Sequence, residues 1–110
     1  MAADPAAFTG LYRDFLADAR ESWQVLREGV QAGQVESVRA KAHYLKSSSL
    51  VLGAPVVARY AAMLEESAIQ HESEKFGSLL AEVEKALQDV QAELTKRLGA
   101  GVIPADETAA

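Results

Sequence analysis

One of the two histidines in this chain has neighbours suited to nucleophilic chemistry. His43 sits within Ala42-His43-Tyr44-Leu45-Lys46-Ser47-Ser48-Ser49-Leu50-Val51-Leu52-Gly53-Ala54. On a helix advancing about 100° per residue, Arg39, Lys46, Ser47 and Leu50 share its side. An imidazole that is neutral near pH 7 is a competent nucleophile, and nearby cations disfavour its protonation. A phosphoryl group accepted there brings close to two negative charges. Lys46 can neutralise part of that charge while staying protonated, and Arg39 can act from the other side. Phosphoryl transfer asks a protein mainly to position groups and stabilise charge. The sequence has no glycine-rich nucleotide loop, no Walker lysine motif and no carboxylate cluster that reads as a magnesium site. A partner must then supply the metal and the second phosphorus ligand, and the ring must be exposed to reach it.

Other polar residues read more plainly. Ser48 and Ser49 lack a base and an orienting third group, so they are not nucleophiles; as small residues they let a neighbouring helix come close. His71 falls in a predicted surface turn, and the two histidines have no metal-ligand spacing. Glu65, Glu66, Glu72 and Glu74 read as a solvated acidic face. Trp23 falls on an apolar stripe and is expected in the core.

Helices must hold the histidine in place. Asp4 can cap and Pro5 can open a first helix. Phe8, Leu11, Tyr12, Phe15, Leu16, Ala19, Trp23, Leu26 and Val30 then recur every three or four residues up to Gly33. Gly10 allows a break that would set a short extra helix ahead of a longer one. The second helix is predicted from about Gln34 to Leu52, with Val35, Val38, Ala42, Leu45, Ser49 and Leu52 on its buried face. His43 lies roughly 130° from the centre of that face. Gly53 suits the left-handed residue that ends the helix. Pro55 starts a third helix, whose inner face is Val57, Tyr60, Ala61, Leu64 and Ala68. Gln70 to Ser73 form a turn, and Ser73 is the expected cap of a fourth helix striped by Phe76, Leu80, Val83, Leu87, Val90, Leu94 and Leu98. Short connections make neighbours antiparallel. The predicted fold is all-α, an up-down-up-down four-helix bundle over residues 1–98, followed by a flexible tail over 99–110.

Composition narrows the function classes. The 110 residues amount to one domain, which can bury a core but leaves little room for a deep catalytic cleft. Absence of cysteine excludes disulfides and thiolate metal sites. No apolar run approaches the roughly 18 residues of a membrane span, and no leader pattern opens the sequence, so a cytoplasmic location is expected. A net charge of −5 argues against a broad nucleic-acid surface. A monomer is the simplest expectation, because the apolar stripes can cover one another.

The string A-H-x-L-K-x-S-S-x-x-L-G-A at Ala42 to Ala54 closely resembles A-H-x-L-K-G-S-S-x-x-L-G-A, the usual motif of histidine-containing phosphotransfer (HPt) domains of two-component phosphorelays. The resemblance extends over about residues 8 to 98, through Phe15-Leu16-Ala17-Asp18-Ala19 and Met63-Leu64-Glu65-Glu66. It implies a four-helix bundle that carries a phosphoryl group on His43 between receiver-domain aspartates, or from a hybrid histidine kinase to a response regulator. Lys46 would be the basic partner and Gly53 the glycine that ends the histidine helix. The implied partners are receiver domains and a sensor or hybrid histidine kinase. No cofactor is implied on this chain, and magnesium is expected on the receiver only. The alternative is an HPt-like module that binds such partners without carrying phosphate. Leu50 is expected in an apolar docking patch, completed by Phe8, Leu11 or Phe15 from the first helix. Ser47 stands where the family has glycine. Its hydroxymethyl group has two possible effects: crowding of the site, or a hydrogen bond to a phosphoryl oxygen.

Overall fold

Four apolar stripes on one short chain are satisfied when the helices face one another around a shared axis. The computed structural model describes residues 5–98, with side chains from 9 to 97. Four α-helices follow in order: α1 (Pro5–Ala32), α2 (Val35–Val51), α3 (Pro55–Ile69) and α4 (Phe76–Leu98). A single 3-10 turn, Ser73–Lys75, precedes α4. Each helix packs on its neighbour in sequence, and α4 returns to α1, closing the ring. The predicted all-α bundle is thus the observed fold, with no strand among the described residues.

The core draws on every helix. Leu16, Ala19 and Leu26 come from α1, Val38, Ala42 and Leu45 from α2, Val57, Ala61 and Leu64 from α3, and Phe76, Val83 and Leu87 from α4. Each fully buried Leu or Val contributes about 1.5–3 kcal/mol through removal of apolar surface from water. Trp23 packs at the edge of this core, and its indole N–H donates to the Leu80 carbonyl at 3.0 Å, tying α1 to α4.

Helix ends follow one pattern. At the ends of α1, α2 and α3, paired bonds form a Schellman closure: Gln34 N–H to Gly29 O, Ala54 N–H to Ser49 O, and Glu72 N–H to Ser67 O. Gly33 (φ 68°) and Gly53 (φ 75°) occupy the left-handed positions of the first two, as predicted. His71 (φ 57°) holds the third, where a side chain is strained.

Two expectations change, and two others fall outside the described residues. α1 runs unbroken through Gly10, so no extra N-terminal helix exists among the described residues. Ser73 opens the 3-10 turn and does not cap α4, because the chain tightens before the α-helix begins. The expected Asp4 cap and the tail over 99–110 lie outside the described residues.

Candidate functional site

α2 and α3 are joined by a tight turn at Gly53-Ala54, so the flank of α2 lies against the flank of α3. His43 projects from α2 at the edge of this seam, and its side chain is 57% exposed. Glu65 projects from α3 toward it. One carboxylate oxygen, Oε2, lies 2.8 Å from His43 Nδ1, and the other, Oε1, lies 2.9 Å from Lys46 Nζ. Glu65 itself is only 12% exposed. A single half-sheltered carboxylate therefore holds both candidate functional side chains.

The electrostatics follow from this geometry. Burial alone would push the Glu65 carboxyl up, but hydrogen bonds from Lys46 and then His43 outweigh it, so its pKa lies below the ordinary value. Glu65 is thus a carboxylate at neutral pH, able only to accept. Because a carboxylate only accepts, the contact places a proton on Nδ1, and in the neutral ring the lone pair is then on Nε2. Such a ring is a nucleophile with one nitrogen anchored and one open.

Sequence reading does not anticipate Glu65. It belongs to the site and not to a solvated acidic face. Its position carries a signal all the same: it follows buried Leu64 and stands one turn beyond buried Ala61, at the edge of α3's inner stripe.

The other predicted residues divide. Ser47 is exposed one turn beyond His43 on the same face. Arg39 donates from Nε to Glu36 Oε1 at 2.8 Å, with a second close contact from its guanidinium. That pairing lowers the Glu36 pKa and directs the arginine along its own helix. Leu50 (61% exposed) and Leu11 are open to a partner. Phe15 is 6% exposed and belongs to the core, which corrects the expectation that it lines a docking surface. Apolar spacing alone does not separate the edge of a stripe from its centre. The Phe8 side chain lies outside the described residues.

Beside the site, Tyr44 donates to Asp18 Oδ2 of α1 at 2.7 Å, and Lys41 Nζ lies 4.7 Å from the Tyr44 ring centroid. The Asp18 carboxylate raises the Tyr44 phenol pKa, which keeps the hydroxyl a donor. This brace fixes the face of α2 next to His43 against α1. Among the described residues, no group of three or more His, Cys, Asp or Glu side chains gathers to hold a metal ion. No described helix is long and apolar enough to cross a membrane.

Comparison with known proteins agrees with this fold. A family model described as Hpt domain matches residues 10–93. No curated protein matches. Among solved structures, the crystal structure of histidine-containing phosphotransfer protein B (HptB) from Pseudomonas aeruginosa PAO1 is similar, at 29% identity. The match covers 82% of this chain and 78% of that one, with a TM-score of 0.79.

Proposed function

The chain belongs to the Hpt domain family, and from that premise we propose that His43 is the phosphoacceptor of a phosphorelay. It takes its phosphoryl group from an aspartyl phosphate on a receiver domain, including that of a hybrid histidine kinase, and gives it to another receiver aspartate. The observation that carries this reading is the exposed imidazole with Nδ1 held by Glu65.

In the transfer step, the Nε2 lone pair attacks phosphorus. The N–P bond forms as the P–O bond to the donor aspartate breaks, and that bond's electron pair returns to the donor carboxylate. The ring keeps its Nδ1 proton and gains positive charge, which the Glu65 carboxylate offsets across their hydrogen bond. Lys46, held one turn away by the same carboxylate, offsets part of the phosphoryl charge. Both groups are in position before the partner arrives, so little reorganisation accompanies the reaction. The reverse sequence returns the group to the next aspartate. Metal chemistry belongs to the receiver in this scheme. Leu50, two turns along α2 from His43, and Leu11 on α1 offer exposed apolar surface, and Lys46 favours an acidic partner face.

The test is to mix the protein with a phosphorylated receiver domain and magnesium, then look for acid-labile, base-stable label. Label on the wild type and none on His43→Gln supports the carrier. Binding without label on the wild type means a docking module that no longer carries phosphate.

A further inference from the structure

The hydrogen-bond donors around His43 are nearly all engaged. Arg39 is bound to Glu36, Tyr44 to Asp18, and Lys46 to Glu65. Ser48 Oγ donates to the Leu45 carbonyl at 3.2 Å, and Ser49 is buried. Ser47 differs: it is exposed, and its hydroxyl has no hydrogen-bond partner among the described residues. It lies four positions after His43, where Cβ atoms on a helix are about 5–6 Å apart. Helical side chains lean toward the N-terminal turn, which directs the Ser47 hydroxyl toward the turn that carries His43. With Nδ1 engaged by Glu65, Nε2 is the ring nitrogen left to carry a phosphoryl group.

We propose that Ser47 is a phosphoryl ligand: its hydroxyl donates a hydrogen bond to an oxygen of the N-phosphoryl group on His43 and prolongs the phosphorylated state. This inference rests on His43 being the phosphoacceptor. The effect has a direction. A phosphoryl group on nitrogen carries close to two negative charges, whereas the loose, metaphosphate-like transition state of its loss carries less charge on the same oxygens. A donor to those oxygens therefore stabilises the phosphohistidine more than it stabilises the escape of its phosphoryl group to water. Hydrolysis breaks the N–P bond, returns its electron pair to Nε2 and delivers the phosphoryl group to a water oxygen. Ser47 slows that step without forming a covalent bond itself. Where glycine leaves the phosphoryl group to solvent, serine makes this chain a longer-lived phosphate store.

The full chain can be loaded with potassium phosphoramidate, a small donor that needs no receiver. The lifetime of the label is then followed by 31P NMR in the wild type, Ser47→Ala, Ser47→Gly and Ser47→Thr. Loss of one net hydrogen bond predicts a lifetime shortened roughly three- to tenfold in both the alanine and the glycine variants. Ser47→Thr keeps the hydroxyl and is expected near wild type. A wild-type or longer lifetime in Ser47→Ala overturns the proposal, whatever the glycine variant does, while label on His43 leaves the carrier function standing. No label on the wild type overturns both.

Discussion

Glu65 and His43 meet across the α2–α3 seam with Oε2 2.8 Å from Nδ1, although 22 positions separate them in the chain. The relationship makes a distant carboxylate part of the proposed phosphoacceptor site. Glu65→Gln keeps the shape but removes the charge that faces the ring as it becomes cationic. We expect phosphotransfer from a receiver to fall by about an order of magnitude, the scale of one charge-assisted hydrogen bond. Rapid-quench kinetics with a saturating phosphorylated receiver measures this, and circular dichroism checks that the bundle is intact. An unchanged rate would show that Glu65 serves the fold alone.

The same contact links stability to pH. Glu65 has a lower pKa in the folded protein than its ordinary value of 4.5. Its ion pair with Lys46 and its hydrogen bond with His43 therefore stabilise the fold above that value, and the contribution is lost as pH falls through the lower, folded value. Urea unfolding of the wild type and Glu65→Gln from pH 7 to pH 3 tests the sign. The wild type should lead at neutral pH, and the gap should close toward the acid end. A gap that widens on acidification would contradict the assignment.

His71 carries a left-handed backbone at φ 57° in a position that glycine fills at the ends of α1 and α2. His71→Gly relieves that strain but loosens the unfolded chain, so the net gain is smaller than the roughly 1–2 kcal/mol left-handed penalty. We expect stabilisation of about 0.5–1 kcal/mol, read as a higher denaturation midpoint with phosphotransfer unaltered. Destabilisation would mean that the imidazole makes a contact worth more than the strain.

Ser49 Oγ is buried with no hydrogen-bond partner. Ser49→Ala removes an unsatisfied hydroxyl at little change in volume and should raise stability by about 1 kcal/mol. Chemical denaturation measures it, and a loss of similar size would place an ordered water on that oxygen.

The bundle is legible in sequence because burial on a helix imposes a period. Val38, Ala42, Leu45 and Ser49 all sit inside, as their spacing predicts. Gly33 and Gly53 mark helix ends because few residues besides glycine adopt their backbone at no cost. His43, Lys46 and Ser47 are legible as a group because one helix carries them all. Glu65 is not, because its partners lie on another helix and the meeting depends on how α3 is rotated against α2. Phe15 illustrates the same limit in reverse: its apolar spacing fits both the core and a docking rim, and only the packing of α1 decides. Arg39 lies within reach of His43 by helical arithmetic, yet Glu36 on the same helix is a nearer partner for its guanidinium.

The central claim is that Glu65 closes one ring nitrogen of His43 and leaves the other as the nucleophile. Correlated 31P–15N NMR on protein phosphorylated by a receiver tests it most directly. The account predicts phosphorus bonded to Nε2 of His43, with Nδ1 still protonated. Phosphorus on Nδ1, or on any residue other than His43, would contradict it.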